Sequence, residues 1–320
     1  MSLKNEILRE LTAQSEAVSG NELANRLGVS RSAVWKAVEQ LRREGCRIAA
    51  AQNRGYRLLS SGERLSEAHI RAELTAQALG CRIEIHPELS STNDRAKALA
   101  LSGAPHGTVV IAQRQSGGKG RKGRSFFSPD GGIYMSVLLR PQVSIETAGL
   151  ITSCAAVAVA NAIEALGGPE IGIKWVNDLF AKGKKLCGIL TEGAANLESG
   201  SMEYVVLGIG INVGCCSFPD ELCDTATSIY QACGVQMDRS CLIAEVLNQL
   251  ESALPSLESR QFIAESRRRS ILLGKAVRVF SGNRQFDAVA VDLNENGQLI
   301  VEADGVLLPL SSGEVSVRAQ

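Results

Sequence analysis

Eight residues in the middle of the chain combine backbone freedom with positive charge. Residues 117–124 read GGKGRKGR, in which four glycines are interspersed with the cations Lys119, Arg121, Lys122 and Arg124. The stretch has no apolar side chain to bury, and each glycine costs a helix about 1 kcal/mol relative to alanine. Glycine lets backbone N–H groups approach an anion, and Lys and Arg neutralise its charge. Three roles are open: a nucleic-acid arm, a disordered linker or a loop that folds around an anion.

The flanking sequence favours the anion-binding loop. A β-rich run, GTVVIAQRQ at 107–115, leads directly into it, and GIYMSVLL at 132–139 reads as the next strand. A segment between two strands of a well-patterned domain is unlike a terminal nucleic-acid tail. The segment also lacks the G-x-x-x-x-G-K-[ST] pattern of a P-loop. No G-x-G-x-x-G both follows a strand and opens a helix, so a dinucleotide fold is disfavoured.

A second polar group follows the short strand pattern IGIKW. In KWVNDLFAKGKKLCGIL (174–190), Lys174 lies at the end of that strand and Asn177 and Asp178 come just after it. A hairpin around KGKK then brings Lys185 back to the same end of the sheet. A carboxamide, a carboxylate and two ammonium groups could bind a magnesium nucleotide and polarise a substrate carboxylate. Taken alone, the segment favours a charged hairpin in solvent.

Two further segments are ambiguous by themselves. In LSSTND (89–94), Ser91 or Thr92 can be a plain helix cap. The run AGLITSCAAVAVANAI at 148–163 is short for a membrane span and contains polar residues, so it predicts a buried helix.

The N-terminal sixty residues predict a DNA-binding unit. Leu23, Ala24 and Leu27 share one face of a short helix, Gly28 permits a tight turn, and Ser30 caps a second helix that extends to about residue 43. A hairpin wing is predicted next, with its turn at 53–55, and this region carries ten Lys and Arg against six Glu and no Asp. A small helical bundle with a charged face is the alternative. The residues expected to contact DNA are Ser30, Arg31, Ser32, Trp35, Lys36 and, on the wing, Arg54.

The overall composition limits the functional classes to which the protein can belong. The 320 residues have 34 Lys and Arg against 34 Asp and Glu, so any preference for nucleic acid must be local. The start of the chain shows no signal-peptide pattern, and the nine cysteines, an odd number without a C-x-x-C pair, suit a reduced cytoplasm. We expect a cytoplasmic protein that does not bind membranes and has no metal site built from its own residues.

The order of elements predicts a multidomain α+β protein. We expect a winged helix-turn-helix at 1–62, a mixed-sheet catalytic domain at 63–272 and a small SH3-like β-barrel at 273–320. The last prediction rests on short alternating strands and on the tight-turn signal NENG at 294–297.

Read together, these motifs resemble a known family. The order SSTN, QSGGKGRKGRSFFSP, KWVNDLF with KGKKLCGIL and GIGINV resembles the biotin–protein ligases, and with the N-terminal unit the whole chain resembles their bifunctional ligase/repressor branch. The resemblance implies that biotin and MgATP form biotinyl-5′-adenylate and that biotin is then transferred to a lysine of the biotin carboxyl carrier protein of acetyl-CoA carboxylase. It also implies an adenylate-bound homodimer that represses the biotin operator.

The resemblance assigns roles to matching residues. Lys185, Arg121 and Asp178 are the implied catalytic residues, and Mg²⁺ is held mainly by the nucleotide. The implied biotin and adenylate contacts are Ser91, Thr92, Asn93, Gln115, Gly118, Lys119, Gly120, Arg121, Arg124, Lys185 and Gly188. The implied nucleotide contacts are Phe126, Lys174, Asn177, Asp178 and Asn212.

Four positions depart from the family pattern. Lys119 stands where the family usually has the first arginine of the loop, so the charge is kept but the planar fork is lost. The usual aromatic residue after the loop is absent at Ser125, and Phe126 is preferred over Phe127 as the ring that stacks on adenine. Ser90 and Val176 replace a usual acidic residue and a usual proline.

Three alternatives remain open at this point. The helix-turn-helix could have lost operator function, the enzyme could handle lipoate or octanoate on the same catalytic fold, or the protein could sense a ligand without catalysis. The G-x-G-R-x-G-R type of loop with K-W-x-N-D argues for biotin over lipoate.

Overall fold

We analysed a computed structural model of the chain. It describes residues 3–12, 17–43, 47–51, 55–60, 65–196, 198, 200–214, 218–281, 284–311 and 315–319.

Three helices and a hairpin form the N-terminal unit, in which the second and third helices and the hairpin were predicted and the first helix was not. The elements are α1 (Leu3–Thr12), α2 (Gly20–Leu27), α3 (Arg31–Arg43) and the antiparallel pair β1 (Arg47–Ala51) and β2 (Gly55–Ser60). Gly28 ends α2 in the left-handed conformation with φ of 64°, which glycine adopts without steric cost. The Ser30 hydroxyl accepts a hydrogen bond from the Ala33 N–H, which confirms the predicted start of α3.

The central domain is built on a seven-stranded mixed sheet. Its strands lie in the order β3-β4-β5-β9-β8-β7-β6, with β3 and β4 parallel and the other neighbours antiparallel. The strands are β3 (Arg82–Leu89), β4 (Thr108–Gln115), β5 (Ile133–Leu139), β6 (Gly172–Lys174), β7 (Asp178–Ala181), β8 (Lys184–Asn196) and β9 (Ser201–Ile211). The helices are α4 (Glu67–Glu73), α5 (Thr92–Leu101), α6 (Ile145–Ala148), α7 (Ile151–Ala165), α8 (Ile229–Cys233), α9 (Arg239–Ala253) and α10 (Phe262–Arg268).

The two faces of the sheet differ because side chains alternate along each strand. On one face, Leu207 and Ile209 join the main core with α7 and α9. On the other face, Val206 packs with α5 and with Leu138 of β5. The following residues of β9 on this second face, Gly208 and Gly210, have no side chain, and the sheet surface is open beyond the start of α5.

The apolar segment predicted to be a buried helix is indeed part of the core. Within the described residues, one helical stretch, Ile145–Ala165, is long and apolar enough to cross a membrane, and 72% of its most apolar window is buried inside the protein. This burial is typical of a core helix, and Ile151, Val159 and Ile163 are fully enclosed.

The C-terminal unit is a five-stranded antiparallel sheet. Its strands, β10 (Ala276–Ser281), β11 (Arg284–Leu293), β12 (Leu299–Ala303), β13 (Val306–Leu310) and β14 (Val315–Ala319), lie in the order β13-β12-β11-β10-β14. The described residues include no pairing between β13 and β14 that would close this sheet into a barrel. The Trp175 indole, which donates to the Gly297 carbonyl at 2.9 Å, packs this unit against the central domain.

Candidate active site

A cavity opens on the α5 face of the central sheet. It holds about 470 Å³, part of it open to solvent. Three segments bound it: the start of α5, the loop 117–124 and the neighbouring strands β8 and β9. The lining residues are Ser91, Thr92, Asn93, Gln115, Lys119, Gly120, Arg121, Phe126, Asn177, Lys185, Gly188, Ile189, Leu190, Gly208, Ile209 and Gly210.

One end of the cavity is a network of neutral polar groups. The Thr92 N–H donates to Gln115 Oε1 at 2.8 Å, and Gln115 Nε2 donates to the Ser128 hydroxyl at 3.0 Å. The buried Ser136 hydroxyl lies 2.8 Å from Thr92 Oγ1 and 2.6 Å from Asn93 Oδ1. These bonds hold Thr92, Asn93 and Gln115 in one orientation, so the pocket presents preorganised hydrogen-bonding groups to a ligand.

Glycines make room for these groups. A Cβ on Gly208 would lie 2.2 Å from Asn93 Oδ1, and one on Gly210 would lie 2.6 Å from the Phe126 ring. A Cβ on Gly118 would lie 2.4 Å from the Phe126 carbonyl oxygen. Any larger residue at these three positions would displace the polar network or the aromatic ring.

The loop 117–124 is folded over the cavity. The Gly120 N–H donates to the Arg124 carbonyl at 2.7 Å, and the Phe126 N–H donates to the Gly118 carbonyl at 2.8 Å. Between these bonds the chain makes a tight turn over Arg121–Gly123. The turn directs Arg121 inward, where its Nη1 donates to Asn177 Oδ1 at 3.1 Å. The loop therefore forms part of the cavity wall, and its binding of an anion stays a prediction.

Arg121 is positioned in a partly desolvated environment. Burial lowers the pKa of its guanidinium, and the nearby Asp178 carboxylate acts in the opposite direction. Because water screens a buried charge poorly, Arg121 can act more strongly on an anion than an exposed arginine can. Lys119, in contrast, is about half exposed and pairs with Asp94 at 2.6 Å.

The hairpin of β7 and β8 supplies the second cation. Lys185 Nζ lies 2.7 Å from Asp178 Oδ1 and 5.9 Å from the centre of the Phe126 ring. The Asn177 amide donates to the Ile189 carbonyl at 3.0 Å, which fixes its oxygen toward Arg121. The interpretation of this segment as a solvated hairpin is wrong, because Lys185 and Asn177 both line the cavity.

Five residues proposed as ligand contacts lie outside the cavity lining, and one of them is Gly118, whose carbonyl accepts from the Phe126 N–H. Arg124 is exposed on the outer side of the loop, and Lys174 Nζ lies 5.7 Å from the centre of the Phe180 ring. Asp178 stands behind Lys185, and the buried Asn212 donates through Nδ2 to the Thr227 carbonyl at 3.1 Å. Phe126, rather than Phe127, faces the cavity, as preferred from the sequence.

Some site residues were not predicted. Gly208 and Gly210 form the floor, Ser136 orients Thr92 and Asn93, and Glu192 accepts from Asn93 Nδ2 at 2.8 Å. The spacing of the two glycines in GIGIN, two residues apart on a strand, was the signal that could have identified the floor.

A separate exposed surface lies on α3. Val34, Val38 and Leu41 are fully buried, and Trp35 is 53% exposed. Arg31, Ser32 and Lys36 are exposed beside it, while Ser30 caps the helix. This matches the predicted orientation of a recognition helix. Arg54 lies outside the described residues.

Comparisons with known proteins match all three units of the chain. The Biotin/lipoate A/B protein ligase family matches residues 86–212, an HTH domain matches 4–57, and the Biotin protein ligase C terminal domain matches 272–318. The bifunctional ligase/repressor BirA of Bacillus spizizenii is 38% identical over 95% of each chain.

The chain belongs to the biotin–protein ligase family. The bifunctional ligase/repressor BirA of Escherichia coli is 28% identical over 97% of this chain and 95% of its own. The biotin protein ligase of Aquifex aeolicus, solved in complex with biotin and ATP, superposes with a TM-score of 0.66 and 28% identity, and covers 75% of this chain and 100% of its own. Relatives named bifunctional ligase/repressor thus span nearly the whole chain.

Proposed function

We propose that the protein activates biotin with ATP and transfers it to a lysine of the biotin carboxyl carrier protein of acetyl-CoA carboxylase. The observation that carries the proposal is the convergence of Arg121 and Lys185 on one cavity whose other end is neutral and polar. Such a site suits a ligand with an uncharged hydrogen-bonding head and a carboxylate tail, and the similarity to relatives named bifunctional ligase/repressor supports biotin as that ligand.

The polar end receives the biotin ring. Ser91, Thr92, Asn93 and Gln115 line this end, and their hydroxyl and amide groups match the N–H and C=O groups of a ureido ring. Gly188 and the small floor residues leave space for the alkyl chain to run toward Lys185. This direction places the carboxylate between the two cations.

The first reaction joins two anions. A biotin carboxylate oxygen attacks the α-phosphorus of ATP, a new P–O bond forms, and pyrophosphate leaves with the electrons of the broken bond. Lys185 and Arg121 offset the negative charge that accumulates on the phosphoryl oxygens, which is the largest effect a preorganised site can supply. Asp178 holds the Lys185 ammonium in place at 2.7 Å.

The second reaction releases AMP. The neutral amine of the carrier lysine attacks the acyl carbon and an amide bond forms. The bond from the acyl carbon to the phosphate oxygen breaks, its electrons leave with AMP, and the amine proton passes to solvent. Gly118, Lys119, Gly120 and Arg121 cover the mixed anhydride meanwhile and limit its hydrolysis by water. Arg124, on the outer side of the loop, contacts the ligand only if the loop moves further inward.

ATP binds next to Phe126, whose ring is packed between Gly210 and Lys185 and can stack on adenine. Of the other implied nucleotide contacts, Asn177 lines the cavity, whereas Lys174, Asp178 and Asn212 lie outside its lining. Mg²⁺ would be held mainly by the ATP phosphates and would offset their negative charge, with Asp178 as the nearby carboxylate. The residues present fit a magnesium nucleotide. Asp178 is the single carboxylate beside Lys185 among the described residues, and a carboxylate oxygen can coordinate a Mg²⁺ ion that the nucleotide carries.

The N-terminal unit represses transcription of the biotin biosynthesis operon. Ser30, Arg31, Ser32, Trp35 and Lys36 present base-reading and phosphate-binding groups on α3, with Arg54 on the wing. We propose that the adenylate-bound protein forms a homodimer, as the family resemblance implies, because dimeric helix-turn-helix proteins place one recognition helix in each of two half-sites.

The family resemblance also supports a division of the chain into three domains. We propose domain limits at 1–62, 63–272 and 273–320 and an SH3-like arrangement of β10 to β14. The six cysteines in the described part of the chain are free thiols, which supports a cytoplasmic location.

One incubation tests the enzyme. The protein is mixed with biotin, MgATP and an apo carrier domain, and the carrier is examined by mass spectrometry for one biotinylated lysine. Failure with every carrier would refute ligation, and lipoylation or octanoylation in its place would identify the lipoate alternative. An operator affinity that is the same with and without biotin plus ATP would indicate that the DNA-binding unit has lost its response to the ligand.

A further inference from the structure

A second cluster of ligating side chains lies outside the cavity, where α4 packs against α9. His69 and Glu73 lie four residues apart on one face of α4, and Cys241 is in the first turn of α9. Cys241 Sγ lies 3.3 Å from His69 Nε2. One ligand atom from each of the three residues lies within 4.8 Å of the other two.

Their chemistry matches a zinc-type ion. Imidazole nitrogen, thiolate sulfur and carboxylate oxygen are the ligands that Zn²⁺ takes, and a tetrahedral ion with its usual bond lengths separates N and S ligands by about 3.5 Å. The observed distance between His69 and Cys241 is close to this value. Glu73 is half-buried, and a side-chain movement of about 1 Å completes a three-ligand site with water in the fourth position.

The other ring nitrogen of His69 provides an independent observation. His69 is 2% exposed, and its Nδ1 has no hydrogen-bond partner within the part of the chain that the structure describes. Asp238 Oδ1 lies 3.6 Å from it and is held by the N–H groups of Ser240 and Cys241 at 2.8 and 3.0 Å. At 3.6 Å this carboxylate is just beyond hydrogen-bond distance, and a small shift of His69 would make the contact through which a carboxylate orients a metal-bound histidine.

We propose that His69, Glu73 and Cys241 bind one Zn²⁺ or a similar thiophilic divalent ion. The site joins two units, because on α4 Ala68 packs in the core of the N-terminal unit and Ile70 in that of the central domain. A bound ion ties α4 to α9 and so stiffens the connection between the DNA-binding surface and the ligase domain. The inference does not depend on the proposed ligation or repression.

Cobalt spectroscopy on the metal-stripped, reduced full-length protein tests the site. Co²⁺ is added to one equivalent, and the near-ultraviolet charge-transfer band of a cobalt–thiolate bond is recorded. We expect one such site per chain, displaced by one equivalent of Zn²⁺. A parent protein that shows no thiolate band overturns the proposal, whatever the variants do.

Variants then assign the ligands. Cys241→Ser removes the thiolate band, and His69→Gln weakens binding by more than the 10–100-fold that loss of a supporting hydrogen bond typically costs. Asp238→Asn, a change at the positioning residue, weakens binding within about that range. Cys233→Ser, at an exposed free cysteine, is the matched control and keeps the band. A band that persists unchanged in Cys241→Ser contradicts the assignment.

Discussion

The two cationic segments of this protein, the surface of α3 and the loop 117–124, have similar side chains but different surroundings. On α3, Arg31 and Lys36 are exposed on a helix whose opposite face fills an apolar core. In the loop, Arg121 is partly buried, bonded to Asn177 and packed into the wall of a cavity. The first arrangement suits a long polyanion in water, and the second suits one small anion out of water.

The difference shows that environment, rather than charge count, decides what a cation does. Exposed cations on α3 act through release of counterions and are weakened by salt. A half-buried guanidinium acts through a direct, poorly screened interaction that salt affects little. Substitutions in the two segments should therefore have separable effects on DNA binding and on adenylate chemistry.

The largest effect is expected at the second cation of the cavity. Lys185→Ala should slow biotin-dependent pyrophosphate exchange into ATP by about 10²–10³-fold, since it removes a group that stabilises transition-state charge. Lys184→Ala is the control, because Lys184 is adjacent in sequence but donates to the Cys223 carbonyl. Equal rates in both variants would mean that Lys185 does not contact the reacting phosphate.

Activity should be nearly as sensitive to a substitution in the cavity floor, which Gly208 and Gly210 form. Gly210→Ala places a Cβ 2.6 Å from the Phe126 ring, and overpacking of this kind costs about 1–3 kcal/mol. We expect kcat/KM for ATP to fall by about tenfold or more. A double-mutant cycle with Phe126→Ala, followed by thermal unfolding, should show that the two stability costs are not additive. Additive costs would indicate that the ring does not rest on this floor.

A smaller effect is expected on α3. Lys36→Ala should weaken DNA binding and reduce the slope of log K against log salt by about 0.9 for each phosphate that the variant no longer neutralises. Adenylate synthesis should be unchanged, because Lys36 is not among the residues that line the cavity. Filter binding over a salt series measures the slope, and an unchanged slope would remove Lys36 from the interface.

The smallest effect is expected at Lys119. Lys119→Arg restores the side chain usual in the family, but the residue is exposed and paired with Asp94, and such surface pairs contribute about 0–1 kcal/mol. Release of biotinyl-5′-adenylate should change by less than about fivefold. A tenfold slower release would show that the planar fork of arginine is used at this position.

Sequence alone predicted the local features well. The helix α3 and its buried face followed from apolar spacing. The motifs also singled out Arg121, Lys185 and Thr92, which the structure brings to one cavity, while their roles stay a prediction. The floor and its supports were missed, because Gly208, Ser136 and Glu192 act on residues of other elements. Their positions depend on how β9 pairs with β5 and β8, which is a long-range property.

The loop illustrates a second limit of sequence reasoning. Its cations look equivalent in GGKGRKGR, yet the tight turn directs Arg121 inward and leaves Arg124 exposed. The direction of each side chain depends on φ/ψ values within the turn, such as φ of 56° at Lys122, which composition does not specify. The order of the C-terminal strands was likewise beyond the sequence pattern, which indicated strands but not their pairing.

Retention of the adenylate by Arg121→Gly tests the central claim most directly. The loop is proposed to hold an acyl phosphate in the cavity, so removing its inward guanidinium deletes a charged hydrogen bond worth about 1.5–3 kcal/mol. We predict that labelled biotinyl-5′-adenylate leaves the variant about 10–100-fold faster than it leaves the parent, with unchanged affinity for non-specific DNA. Unchanged release together with weakened DNA binding would contradict the account and identify the loop as a nucleic-acid contact.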